Sequence, residues 1–298
     1  MAAGTTMRST VFGIDVWTQD AVEVLHGARA AATGRRLELQ VEAAGEDGLA
    51  WPAEARQLGI LREPGGRVVF TVEADPRTGY LLRGSAYGDH LLSADGLRLR
   101  CRPGEAPAPA WQRFLIAQVL PFAAAVNGLE VLHASAVELD GRAIALVGRS
   151  GAGKTSLALA LCELGASFMA DDVLAVELRE HGLVGHPGTP LAGVAQGEQE
   201  RMVETIGAAG PAPLTGVLCL ERDERGPSRP RFEPIGDAAP LLSATFNLML
   251  CDQRRLRRLL EVCALAAQGL VERVRVGADV GVERLAEAVL ARLRDADR

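Results

Sequence analysis

Apolar and polar residues alternate with a period of two across 37–42, the pattern of a half-buried strand whose successive side chains leave opposite faces. Runs at 67–73, 79–84, 90–93 and 97–101 read as further short strands. Turn signals separate them: Pro64-Gly65-Gly66, Asp75-Pro76 and Ala94-Asp95-Gly96. The pattern predicts a small antiparallel module. A Pro- and Ala-rich stretch, 103–109, then reads as a linker. After it the period changes. Phe114, Leu115, Val119, Leu120 and Ala123 recur at helical spacing over 111–127, with a kink predicted at Pro121.

The rest of the chain alternates between strand and helix patterns. Residues 130–138 read as a strand, Asp140-Gly141 as a hairpin turn, and 143–147 as a strand buried on both faces. A helix over 154–164 is closed by Gly165. Residues 167–170 lead to Asp171-Asp172 and a strand at 173–178. A hairpin is predicted from 216–220 and 230–234 around the polar loop 223–228. Helices at 237–248 and 252–268, a strand at 271–276 and a helix over 282–294 complete the pattern. The expected organisation is a β-rich N-terminal module, 1–107, ahead of an α/β domain, 108–298.

Composition narrows the function classes. At 48% hydrophobic residues the chain can bury a sizeable core, and a net charge of −6 argues against a nucleic-acid binder. The longest apolar run, 114–126, is broken by Gln118 and Pro121 and is too short to span a bilayer. The N-terminal stretch lacks a secretory pattern. The expectation is a cytoplasmic protein with no membrane contact. The five cysteines, Cys101, Cys162, Cys219, Cys251 and Cys263, show no metal-binding or CxxC spacing and read as free thiols, mostly buried.

Chemistry enters at Gly148-Arg149-Ser150-Gly151-Ala152-Gly153-Lys154-Thr155, which fits G-x-x-x-x-G-K-[ST] between a predicted buried strand and a predicted helix. Glycines let consecutive backbone N–H groups face phosphate oxygens, and the helix adds its N-terminal dipole. Lys154 is expected to reach the β- and γ-phosphates, and Thr155 to offer a hydroxyl to Mg²⁺. Ser156 completes the candidate phosphate-binding set. Of the 32 basic residues, Lys154 is the single lysine. Arginine's planar fork does not substitute for it in a tight loop. Asp171-Asp172 supplies two carboxylates downstream, one for Mg²⁺ and one for the acceptor hydroxyl. His133 lies on the strand ahead of the loop.

Leu132-His133-Ala134-Ser135-Ala136, the loop 148–155 and Ala170-Asp171-Asp172-Val173 together resemble the HPr kinase/phosphorylase catalytic domain. About forty residues carry the resemblance. It implies a P-loop kinase domain of the HPr kinase and phosphoenolpyruvate carboxykinase-like type, using ATP and Mg²⁺. It implies Asp171 as the base that takes the proton from a serine hydroxyl, Asp172 with Thr155 at the metal, and His133 near the transferring phosphate. Ser156 and Arg149 depart from the residues usual in that family, and a glycine-rich phosphorolysis signature is not found. The chain looks closer to stand-alone relatives such as kinases that phosphorylate lasso-peptide precursors.

The expected function is therefore ATP- and Mg²⁺-dependent transfer of a phosphoryl group to a serine or threonine hydroxyl of a small protein or peptide. A homo-oligomer is compatible with it. A small-molecule hydroxyl kinase and a nucleotide-binding regulatory module that transfers nothing stay open. Arg254, Arg255, Arg257 and Arg258 read as a solvated helix face, with Leu256, Leu259, Leu260 and Cys263 as its apolar stripe, or as a docking surface for an acidic tail. His186-Pro187-Gly188-Thr189-Pro190 reads as a rigid turn, and Glu221 as a strand end or a second metal carboxylate.

Overall fold

The computed structural model describes residues 6–28, 32–43, 50–63, 65–196, 199–246 and 249–295. Pro64 of the first turn signal and the last two residues of the predicted helix 237–248 lie outside them. The chain forms two units: Met1–Gly128 with Asn247–Asp252, and Leu129–Phe246 with Gln253–Arg298.

The first unit holds strands β1 (Met7–Val11), β2 (Ile14–Thr18), β3 (Arg36–Val41), β4 (Arg56–Arg62), β5 (Val68–Asp75), β6 (Gly79–Gly84), β7 (Gly88–Ser93) and β8 (Arg98–Pro103). They form one sheet in the order β1-β2-β3-β8-β7-β6-β5-β4. The predicted antiparallel arrangement is corrected to a mixed one, because β3 lies parallel to both β2 and β8. The alternation in β3 is real: Leu37 and Leu39 are buried, while Arg36, Glu38 and Gln40 are exposed. The β1–β2 hairpin escapes sequence reading because its turn puts Phe12 at φ 52° ahead of Gly13 at φ 74°. An aromatic residue is not an expected occupant of such a turn.

Helix α1 (Ala108–Phe114) and helix α2 (Leu120–Val126) are joined by a π-helical turn, Leu115–Val119. Pro121 explains it. The ring removes one backbone donor and crowds the carbonyl four residues back. The wider turn relieves this, and the Leu120 N–H donates to Leu115 O, five residues back. Phe114 stacks on Tyr87 at 5.0 Å and meets Phe70 edge-on at 5.3 Å. His90 lies beside it at 5.5 Å between ring centroids, fully buried.

Burial pushes the His90 imidazole down to about 4 from an ordinary 6.5, partly offset by the Tyr87 backbone. The unfolded chain therefore binds the extra proton first. Stability attributable to this group is complete above the unfolded value and falls as pH drops towards the folded one. The expected loss on acidification through this window is up to about 3 kcal/mol. Urea denaturation at pH 7 and pH 4.5 should show the loss in the natural chain and a smaller one in His90→Phe.

The second unit contains β9 (Glu130–Leu132), β10 (Ser135–Leu139), β11 (Arg142–Gly148), α3 (Lys154–Glu163), β12 (Ser167–Ala170), β13 (Leu174–Arg179), β14 (Gly182–His186), β15 (Leu191–Gln196), β16 (Gln199–Glu204), β17 (Ala212–Asp223), β18 (Arg231–Pro234), α4 (Ala239–Ser243), α5 (Gln253–Ala266), β19 (Val271–Gly277) and α6 (Val282–Asp295). One mixed sheet runs β12-β10-β11-β17-β14-β13-β9, with β19 against β17 and β18 against β19. Strands β11, β17 and β19 are parallel neighbours. β15 and β16 pair separately as a hairpin.

Strand β11 is buried on both faces, as its apolar run predicts. Ala143, Ala145 and Val147 join a core with Leu241, Leu259 and Val262 of α4 and α5. Ile144 and Leu146 join the opposite core with Leu157 and Leu161 of α3 and Leu285 and Val289 of α6. The Asp140-Gly141 turn has both residues at positive φ, 51° and 77°, which matches the strand twist.

Four further expectations are corrected, all in the second unit. The single strand 130–138 is two strands, broken at His133 and Ala134. β9 pairs with β13, whereas β10 pairs with β11 and β12. The predicted hairpin of 216–220 with 230–234 does not form, because β19 lies between β17 and β18. The helix predicted over 237–248 shortens to α4, since the chain leaves it to pair with β9: Thr245 bridges Leu132, and the Phe246 N–H donates to Val131 O at 2.8 Å.

The fourth correction concerns α5. Its buried stripe is Arg255, Leu259, Val262, Cys263 and Ala266, while Leu256 and Leu260 are exposed. Arg255 is therefore not part of a solvated face. Its Nη2 lies 2.8 Å from Glu130 Oε1 and donates to Phe246 O at 2.6 Å. Arg258 stands 3.9 Å from the other Glu130 oxygen. Arg255 and Glu130 are 3% and 0% exposed at their side chains, so neither has water to fall back on. Arg255→Ala leaves the buried Glu130 charge only Arg258 at 3.9 Å and should cost about 3–5 kcal/mol in urea denaturation. Arg255→Met combined with Glu130→Leu should cost clearly less.

Among the described residues, all five cysteines are free; Cys101, Cys219 and Cys263 are buried, Cys162 is half-buried and Cys251 is exposed. No helix among them is long and apolar enough to cross a membrane.

Candidate functional site

The parallel strands β11, β17 and β19 all end at one edge, and ligands of open α/β sheets gather outside such carboxyl ends. β11 runs into the loop 148–153 and then into α3. Three loop glycines adopt positive φ: Gly148 at 150°, Gly151 at 79° and Gly153 at 89°. A side chain on Gly148 would put its Cβ 2.8 Å from Leu220 O. The glycine spacing is thus a backbone requirement at both ends of the loop.

Lys154 opens α3 and is 6% exposed. Its ammonium donates to Gly148 O at 3.1 Å and approaches Arg149 O at 3.5 Å. The next residue, Thr155, turns its hydroxyl to Asp171 and donates to Oδ1 at 2.6 Å.

Asp171 reaches this position through strand register. Ala136 of β10 faces Ala170 of β12, beyond a bulge at Ala136 and Val137. One step further along, the buried Ser135 hydroxyl donates to Asp171 Oδ1 at 3.0 Å. The Gly193 N–H on β15 donates to Oδ2 at 2.8 Å. Three donors from three elements fix the carboxylate. Asp172 follows, exposed, at φ 59°. This left-handed conformation costs a non-glycine residue energy. The Asp172 carbonyl accepts the Ala134 N–H at 3.2 Å, which holds the turn to the β9–β10 break.

His133 sits at that break, half-buried, and its N–H donates to Ala244 O at 2.5 Å. It lines a cleft of ≈ 1270 Å³ together with loop residues 147–152, the ends of β17 and β19, and α4. The sequence candidates therefore fall into two adjoining groups. Lys154, Thr155 and Asp171 meet at the start of α3. Arg149, Ser150, Gly151, Ala152 and His133 face the cleft. Ser156 is exposed in the first turn of α3.

Sequence reasoning assigned no role to Ser135 or Gly193. Ser135 stood inside the quoted run, but only strand register shows what it touches. Gly193 acts through its backbone, which leaves no side-chain signal. Glu221 is at the cleft in an ion pair with Arg273 at 2.8 Å. His186, at the end of β14, lies 3.0 Å from Glu177. The Cys219 thiol lines the cleft, but burial, with Glu221 adding to it, pushes it up to about 12. It stays protonated near neutral pH and is not an available nucleophile.

Hard oxygen donors at Thr155 and Asp171 suit Mg²⁺, which takes one or two protein oxygens alongside substrate phosphates. Among the described residues, no group of three or more His, Cys, Asp and Glu side chains could hold a metal by itself.

No protein-family model matches the chain, and no curated protein matches its sequence. A solved structure of the Hpr(Ser) kinase/phosphatase from Coxiella burnetii is similar to it at a TM-score of 0.35 and 16% identity, covering 56% of this chain and 97% of that one. The likeness is distant.

Proposed function

We propose that the chain is a kinase that moves the γ-phosphoryl group of ATP to a serine or threonine hydroxyl of a small protein or peptide. The second unit is its catalytic part. The observation that carries the reading is the 2.6 Å contact of Thr155 with Asp171, at the mouth of a loop whose glycines and single lysine suit a triphosphate. A carboxylate beside the loop hydroxyl supports Mg²⁺ in P-loop proteins generally. A phosphoryl transferase needs one to orient or deprotonate the nucleophile.

In this reading the loop amides and Lys154 hold the β- and γ-phosphates. Thr155 is the metal side, with the Asp171 carboxylate hydrogen-bonded to it and Asp172 following as the second carboxylate assigned to the metal. Mg²⁺ when bound neutralises charge on the phosphates. Asp171, kept in one orientation by Ser135, Thr155 and the Gly193 N–H, takes the proton of the acceptor hydroxyl. The acceptor oxygen bonds to phosphorus as the bond to the β-phosphate oxygen breaks. His133, at the cleft wall, lies on the side from which the acceptor enters.

The test is a single-turnover reaction of the full chain with γ-labelled ATP, Mg²⁺ and a mixture of serine-containing peptides. Label on phosphoserine supports the reading. Label only in inorganic phosphate makes the protein an ATPase. Label transferred only to added small alcohols makes it a small-molecule kinase. Tight ATP binding with no transfer makes it a regulatory module.

A further inference from the structure

Beyond the loop, three strands present charges in register on the cleft side of the sheet. On β19, Val274 and Val276 pack into the core beneath α6, so Arg273 and Arg275 leave the opposite face. β17 sets Glu221 beside Arg275. β18 sets Glu233 opposite Arg273 and Arg231 opposite Arg275. Phe232 packs towards the valine side, so Arg231 and Glu233 share the arginine face.

These charges do not cancel. Both carboxylates turn to Arg273, Glu221 at 2.8 Å and Glu233 at 3.8 Å. Of the other acids at the cleft, Asp223 accepts the Arg225 N–H at 3.0 Å and Asp237 the Ala239 N–H at 2.8 Å, each closing its own turn. Glu224 is exposed. Among the described residues, neither Arg231 nor Arg275 has an ion-pair partner. Like charges directly opposite on a strand pair destabilise it. Both side chains are exposed, and Arg275 lines the same cleft as His133 and the loop.

We propose that Arg231 and Arg275 form an anion subsite for the acceptor, which carries a carboxylate or phosphate group in addition to the hydroxyl that is phosphorylated. The inference rests on the kinase reading for the identity of that ligand. Two guanidinium groups carried at directly opposite positions of a strand pair suit a planar carboxylate or a phosphate. The pair stands on strands set apart from the loop. β19 is two strands from β11 and β18 is three, which at about 4.8 Å per strand is about 10–14 Å. An extended peptide covers that span in about three or four residues. The acidic group is therefore expected about three or four positions from the acceptor serine.

The experiment titrates the full chain, saturated with Mg-ADP, with inorganic phosphate and separately with N-acetylaspartate amide. One binding event should survive the nucleotide and weaken tenfold or more in Arg231→Gln and in Arg275→Gln. Binding of phosphate alone assigns a phosphorylated acceptor; binding of both probes assigns a carboxylate. Arg231→Gln should melt no lower than the natural chain, since it relieves a repulsion. The proposal is overturned if nothing binds in the presence of Mg-ADP, if binding is unchanged in both variants, or if the variants lose ADP instead. With serine peptides, an aspartate three or four residues from the serine should lower KM in the natural chain and not in the variants. If anion binding follows the arginines but no peptide is phosphorylated, the subsite stands and the kinase reading fails.

Discussion

Lys154→Arg is expected to lower phosphoryl transfer by about a hundredfold or more, the loss typical of removing one preorganised donor from a transition state. ATP affinity should fall with it. Charge is conserved in this change, so the effect is one of shape. The Lys154 ammonium fits at 3.1 Å from Gly148 O in a 6% exposed position. A guanidinium is wider, planar and fixed in its donor directions. The chain itself uses arginine at the other 31 basic positions. Equilibrium titration with ATP and single-turnover transfer measure the two effects separately. Natural values in both would reduce the lone lysine to an accident of composition.

Asp171→Ala should leave ATP affinity within a few fold and lower transfer by about a thousandfold, within the range for loss of a general base. The contact with Thr155 adds a second readout. If Asp171 acts on the acceptor alone, the Mg²⁺ concentration for half-maximal ATP binding stays put. If it also supports the metal through Thr155, that concentration rises in the variant. Transfer at the natural rate would remove Asp171 from the mechanism altogether. Ser135→Ala, which deletes one of three donors to the same carboxylate, should give a milder version of the same loss.

The difference between Ser135 and Lys154 marks how far sequence reading reaches. The loop was legible because its chemistry is local: eight consecutive residues set both the backbone path and the functional groups. The same holds for β11, whose apolar run fits a strand covered on both faces, and for the amphipathic helix α6. Pairing partners were not legible. The polar loop between β17 and β18 reads as a hairpin turn, and nothing local reveals that β19 intervenes. Arg255 reads as solvated because arginine usually is; its partner Glu130 is 125 residues away. The contacts of Asp171 show both cases. The aspartate pair stood out, but its donors arrive from β10, α3 and β15 through register alone.

The 125-residue span between Glu130 and Arg255 has a consequence during synthesis. β9 leaves the ribosome long before α5 does. At about 5–20 residues per second, its carboxylate waits on the order of ten seconds for its guanidinium. β19, which must slot between β17 and β18, is made later still. The N-terminal half of this unit therefore cannot reach its final burial while it is being made. Glu130 must stay hydrated, and β9 open at its edge, until α5 emerges. Closure of this unit is a late event, and the loop with its lysine is complete in sequence well before the sheet beneath it is complete in space.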